Sequence, residues 1–372
     1  MRLNRCGKAG FRAWRWVIGL LLLPVRMQAE EPAFSFWEST VDVRAGAGYK
    51  DNVLLSNQNA IGSPFWSTGL ELLLARLSTD AREANFFLSG EDIRYLNNGP
   101  VDKEQTLISQ AQFKQSFTPV WAVGMQFGYL YQNQIFDAST TETVGTVRAV
   151  GHTLLMRPTI EWAFTPPYVM ELAFPVNRQY FRAPLDNYWE GGPMLTLTRR
   201  FAENSDASVS YQIGRRSYDT RQQLDLAGLE IPGTSLAFIR EEVQVGLRQS
   251  WGEDWRWRST ARALYERNRD NGSGFVNYRR AQVSEQLRYH VKLWEAQVGL
   301  RFNYYDYDWQ TVSATNLAKR ARWGGAVSFR AERRVSKSVK LFGEYEFENY
   351  LSNQIFDQYN VNKGVVGVDW EF

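Results

Sequence analysis

Few residues of this chain could do covalent or metal chemistry, and many could shape an electric field. The sole cysteine is Cys6, and the only histidines are His152 and His290. A hydrolase built on His152 would need a serine or a carboxylate beside it. "AVGHTLL" puts His152 next to a long polar connection, where a rim acid could act as that partner, but no G-x-S-x-G motif accompanies it. No His/Cys/Asp group has metal-ligand spacing, the acids of "NNGPVDKE" do not match a calcium loop, and no cofactor is expected. Arginine stands out instead. Arg44, Arg157, Arg248, Arg258, Arg262, Arg288, Arg301, Arg330 and Arg334 fall on the polar side of alternating segments, as do Glu344 and Glu346. A guanidinium keeps its charge and grips carboxylates with a flat fork, so unpaired arginines would attract anions. With Glu344 and Glu346 opposite, the two signs would set up a transverse field that orders a polar solute. Equally, the charges could pair with one another and hold a wall together.

The elements that position these groups are strands. In 121–132, Trp121, Val123, Met125, Phe127, Tyr129 and Tyr131 alternate with Ala122, Gly124, Gln126, Gly128, Leu130 and Gln132. In 339–348, Val339, Leu341, Gly343, Tyr345 and Phe347 alternate with Lys340, Phe342, Glu344, Glu346 and Glu348. Period two means one apolar and one polar face. Seven short turns, such as "FTPPY" and "WGEDW", alternate with eight longer connections, such as "KDNVLLSNQNAIGSP" and "IFDASTTETVGTVRAVG". Fifteen connections join sixteen strands, each about the length that crosses a bilayer at a tilt. Aromatics gather beside the short turns, at Trp121, Phe164, Tyr168, Phe201, Trp251, Trp255 and Trp294, as in a membrane girdle. A lipid-embedded sheet must close, so the expected fold is all-β, a transmembrane antiparallel up-and-down barrel of about sixteen strands. His290 falls on the inner face near the short turns; Tyr305, Tyr307 and Phe342 also fall on the inner face, and those rings could stack on sugar. Two places fit poorly: Glu285 falls on the lipid face, and 84–95 alternates weakly, which a bulge or slip would explain.

Residues 1–29 read as a cleaved signal peptide: a basic start, an apolar run from Trp16 to Val25, then Ala29. The barrel domain is expected over 30–372. Six of the 43 Lys and Arg and none of the 40 Asp and Glu fall in the leader, so the remainder carries 37 against 40, a net −3. Nothing in that balance favours nucleic acid. The last strand, "GVVGVDWEF", alternates Val366, Val368, Trp370 and Phe372, and with Tyr359 it is similar to the C-terminal signature that barrel-assembly machinery reads. The bacterial outer membrane, with its lipid, is the expected location.

"GAGYKDNVLLSN" (46–57) and "ENYLSNQIFDQYNVNKGVVGVDWEF" (348–372) resemble stretches of the β-barrel porins found with bacterial exopolysaccharide and capsule loci. The resemblance implies a channel, not an enzyme, passing or exporting a polysaccharide or another polar, anionic solute, with periplasmic export components as partners. The other readings are a hydrolase of lipid or peptide using the rim histidine, and a closed scaffold or translocation barrel.

Overall fold

The computed structural model describes residues 37–372, apart from 77–80, 98, 138–145 and 313–314. The expected leader, 1–29, and the first residues after it lie outside the described residues. Sixteen strands follow in order: β1 (Trp37–Lys50), β2 (Ser63–Arg76), β3 (Arg82–Tyr95), β4 (Lys103–Ser116), β5 (Trp121–Asp137), β6 (Thr146–Thr165), β7 (Tyr168–Ala173 and Val176–Phe181), β8 (Tyr188–Gly191 and Met194–Ala202), β9 (Ser205–Tyr218), β10 (Ala237–Trp251), β11 (Trp257–Asp270), β12 (Tyr278–His290), β13 (Trp294–Thr311), β14 (Lys319–Arg334), β15 (Val339–Ser352) and β16 (Tyr359–Glu371). Each pairs antiparallel with the next, and β16 returns to β1 from Asp42↔Glu371 to Lys50↔Lys363. The sheet is a closed barrel with no free edge.

β7 and β8 are each broken once, at Pro175 and Pro193, because proline has no N–H for the ladder. Neighbouring amides bridge the breaks. Phe174 N–H donates to the Pro158 carbonyl (3.1 Å), Gly192 N–H to Pro175 (3.2 Å) and Ile213 N–H to Pro193 (3.2 Å). Both halves of each strand therefore stay in the wall.

The outer face carries a continuous apolar band that includes Phe127, Leu154, Val245, Val283, Leu300, Phe302, Phe329 and Val366, all exposed. Leaving each such side chain in water rather than burying it costs about 1.5–3 kcal/mol, and soluble proteins rarely tolerate one such patch. Lipid is the solvent this face fits, so the barrel is transmembrane. Ring pairs mark the short-turn boundary: Trp121 stacks on Trp162 (5.5 Å) and Trp251 on Trp257 (6.3 Å).

The two irregular places resolve without a bulge. β3 pairs in unbroken register on both sides. Its alternation looks weak because Phe87, Ile93 and Tyr95 point inward with Glu91, while Asp92 and Arg94 form an outward pair (2.7 Å) near the loop rim. Tyr95 packs edge-on against Phe65 (5.9 Å) in a small core with Val53, Ile93 and Val101. Glu285 also keeps its register and stays on the outer face, where its carboxylate accepts a hydrogen bond from the Ser259 hydroxyl. Strand reaches into one of the longer connections from both sides: within "IFDASTTETVGTVRAVG", β5 runs to Asp137 and β6 begins at Thr146.

The two stretches that carried the resemblance meet in space at the β1–β16 seam. Asp51 accepts from the Asn362 amide and side chain (both 2.7 Å), and buried Asn52 donates to the Asn360 and Ser56 carbonyls (both 2.8 Å). Asn57 reaches the Ile355 carbonyl (2.9 Å). The glycines of the seam make room for rings. A Cβ on Gly48 would lie 2.5 Å from Phe65 Cζ, and one on Gly367 would lie 2.6 Å from Phe342 Cζ. Phe372 continues the pairing, its N–H donating to the Val41 carbonyl (2.9 Å). Tyr359 faces inward, away from Val366 and Trp370, and stacks on Tyr350 (5.1 Å).

At the loop rim, Arg178 donates to Asp219 Oδ1 (2.8 Å) and Oδ2 and lies over the rings of Tyr180 (4.7 Å) and Trp189 (5.2 Å). The hydrogen bonds from Arg178 hold the Asp219 carboxyl below the usual carboxylate range. A depressed pKa adds stability above the unfolded value, about 3.9, and that stability is lost as pH falls through the lower folded value. The Trp189 fluorescence signal, taken as the difference from Trp189→Phe, should thus hold steady from pH 7 to about 5 and change only below about 4. Asp219→Asn should remove the acid transition, and a transition that persisted in that variant would refute the assignment.

Candidate functional site

All eleven charged residues nominated from the sequence lie on the inner face, but most are already paired. Arg44 meets Glu71 (2.7 Å), Arg288 meets Glu295 (2.7 Å), Arg301 meets Glu348 (3.1 Å) and Arg334 meets Glu371 (2.8 Å). Arg157 pairs with Glu171 and Arg248 with Asp206. Arg330 sits among Glu332 (2.5 Å), Glu344 and Asp369 (3.9 Å), and Glu346 faces Lys363 (3.7 Å). Glu344 and Glu346 are therefore not a row opposite the arginines. β15 is the direct neighbour of β14, Arg330 is in register with Glu344, and the two signs neutralise each other within the wall.

Two arginines are exceptions. Arg258 and Arg262, on β11, are exposed and have no ionic or hydrogen-bond partner among the described residues. Arg262 borders a recess of about 360 Å³ in the inner wall, lined also by Thr260, Ser284, Gly299, Arg301, Ser328 and Glu346. The recess exists because the side chains there are short. A Cβ on Gly299 would already collide with Ser328 Oγ. A free guanidinium beside small hydroxyls can offer a passing carboxylate a bidentate contact and neutral hydrogen bonds at one level.

The inner aromatics do not form a track open to solute. Tyr305 and Tyr307 are buried, the first beside Arg280 (5.5 Å) and the second beside Arg320 (4.3 Å). Phe342 is covered by Arg330 (5.0 Å). The histidines are equally occupied. His152 is on the outer face, its Nδ1 hydrogen-bonded to Tyr129 Oη (2.7 Å) and its ring against Tyr131 (5.1 Å). His290, at the short-turn rim, touches Glu295 (3.2 Å), which also binds Arg288. Neither histidine contacts a serine among the described residues, and no group of His, Cys, Asp and Glu there could hold a metal.

Sequence reasoning missed the charges that close the loop-side mouth. Buried Arg322 of β14 pairs with Asp137, the last residue of β5, almost halfway round the barrel. Tyr350 covers the guanidinium (4.3 Å). The Thr146 hydroxyl, opening β6, donates to the Leu54 carbonyl (3.0 Å) of the first loop. The end of β5 and the start of β6 are thus each tied to another part of the loop-side rim. Beside it, Glu190 is gripped by Arg216 (2.9 Å) and Arg240 (2.5 Å), and Glu266 by Tyr278 (2.7 Å). Arg322 shares its parity with Arg330 and Arg334, so counting upward along β14 would have put it in the lumen. No local signal joins it to Asp137.

No protein-family model and no curated protein matches this sequence. Solved porin structures are similar to it. OpdQ of Pseudomonas aeruginosa shares 11% identity over 91% of this chain and 99% of that one, with a TM-score of 0.47. An anion-selective porin from Comamonas acidovorans shares 11% over 90% and 99% (TM-score 0.46), and OccAB3 of Acinetobacter baumannii shares 8% over 90% and 99% (TM-score 0.46). At these values the likeness carries no residue role to this chain.

Proposed function

We propose that the chain is a channel of the bacterial outer membrane that passes polar, anionic solutes, and that it is not an enzyme. The observation that carries this reading is Arg262, exposed and partnerless beside a polar recess of the inner wall, with exposed, partnerless Arg258 four residues away on the same strand. The finer proposal, passage of an acidic polysaccharide, rests on the resemblance of the two terminal stretches and on carboxylate recognition by a free guanidinium. The test is single-channel conductance of the refolded barrel in a planar bilayer. A steady, anion-preferring current blocked by a carboxylated oligosaccharide and not by its neutral counterpart is expected. A folded but silent barrel would overturn the channel. Block by neither sugar would leave a channel and remove the saccharide. His152→Ala should leave the current unchanged, and an esterase or peptidase activity that disappears in that variant would instead establish the hydrolase.

We also propose that Val366, Val368, Trp370 and Phe372 form the strand that barrel-assembly machinery reads. Phe372 holds β1 through its backbone, so Phe372→Ser keeps those bonds. The variant should refold in detergent like the parent yet reach the outer membrane at a yield about tenfold lower, since only the recognised side chain is lost. Equal yields would count against the proposal.

A further inference from the structure

The outer wall carries a band of charge where a lipid-facing surface should be apolar. Between β9 and β13, register aligns three rows around the barrel. Nearest the membrane centre runs an apolar row that includes Val209, Val245, Val283 and Phe302. Next comes an aromatic row, with Tyr211, Tyr265 and Tyr304, then Trp323 on β14. Aromatics of this kind settle at the membrane interface. Two residues further toward the loops come Glu241, Arg267, Arg279 and Asp306, with Arg269 and Arg215 one step beyond. The arginines thus stand at headgroup level, immediately above the interfacial rings.

The acids of the band are Glu241, which pairs with Arg269 (2.9 Å), and Asp308, which pairs with Arg279 (3.7 Å), together with Asp306. Arg215 and Arg267 are exposed and have no ionic or hydrogen-bond partner among the described residues. Arg267 lies directly opposite Arg279 in the β11–β12 register. Directly opposed residues are about 5 Å apart, and like charges so placed repel. A phosphate has enough oxygens to accept from both guanidiniums at once, which turns the repulsion into a two-sided clamp.

We propose that this band, centred on Arg267 and Arg279 and flanked by Arg215, binds the phosphate of a lipid headgroup in the surrounding leaflet. The lipid's tail would lie along the aromatic and apolar rows beneath. The site depends on the transmembrane fold and not on what crosses the lumen.

Native mass spectrometry of the folded, detergent-solubilised full chain tests it, with phosphatidic acid, phosphatidylcholine and inorganic phosphate as probes. Phosphatidic acid should be retained in preference to phosphatidylcholine. Arg215→Gln/Arg267→Gln should weaken its retention about tenfold, since one or two charge-assisted contacts are lost. Arg94→Gln, which changes an outward arginine already paired with Asp92, should leave retention unchanged. Equal retention of the two lipids, or unchanged retention in the double variant, would overturn the proposal. So would displacement of the lipid by equimolar inorganic phosphate, because the site would then belong to a soluble anion. If the double variant does not fold, the single pair decides: Arg267→Gln should lose binding and Arg267→Lys should keep most of it.

Discussion

Neutralising Arg258 and Arg262 together should lower the anion-to-cation permeability ratio by about an order of magnitude, because one unit charge about 5 Å from the ion path in water favours an anion by about 0.8 kcal/mol and disfavours a cation by as much. The two sites lie four residues apart on one strand, about 13 Å, which exceeds the Debye length at 0.1 M salt. They therefore act in series, each at its own level, and their effects do not multiply. The ratio should drift toward unity for parent and variant alike in 1 M salt, where screening reaches only about 3 Å. The control is a balanced change. Arg157→Gln/Glu171→Gln removes one charge of each sign from a pair already formed in the wall and should leave selectivity where it was. Reversal potentials in a salt gradient provide the measurement. An unchanged ratio after loss of Arg258 and Arg262 would mean that solute does not pass the recess.

Asp137→Asn should release the loop-side end of β5 from β14. Arg322 is fully buried, and its Nε and Nη1 make no hydrogen bond, so the wall offers no substitute for the lost carboxylate. Removing one member of such a buried pair costs about 3–5 kcal/mol, far more than an exposed pair is worth. That cost falls on the mouth and not on the ladder, because Asp137 is the last residue of its strand. The expected result is a larger, noisier single-channel current with the melting of the barrel itself little changed. Arg322→Met/Asp137→Asn removes the stranded charge and should be quieter than Asp137→Asn alone. A parent-like current in Asp137→Asn would show that the rim is held by other contacts, such as Thr146 on the Leu54 carbonyl.

The alternation of side chains by itself determined the two faces and the membrane habit, and the count of short turns and longer connections determined the number of strands. Period two is a local property: Trp121 to Tyr131 and Val339 to Phe347 declare their outer face without reference to any neighbour. Even the misfits were correctly placed, since Glu285 is on the outer face and Ser259 satisfies it there. Inner-face membership was legible for the same reason, and each of the nine nominated arginines points into the lumen. Which arginines remain free was not legible. Pairing depends on the shear between strands and on closure, which bring Glu344 beside Arg330 within the wall and leave Arg262 beside Ser284. Closure carries Asp137 to Arg322 across 185 residues of sequence, and the β11–β12 register sets Arg267 against Arg279 on the outside. A sequence reports which side of a strand a charge occupies. Only the closed sheet decides what that charge meets, because Coulomb energy follows distance in space, and closure sets those distances.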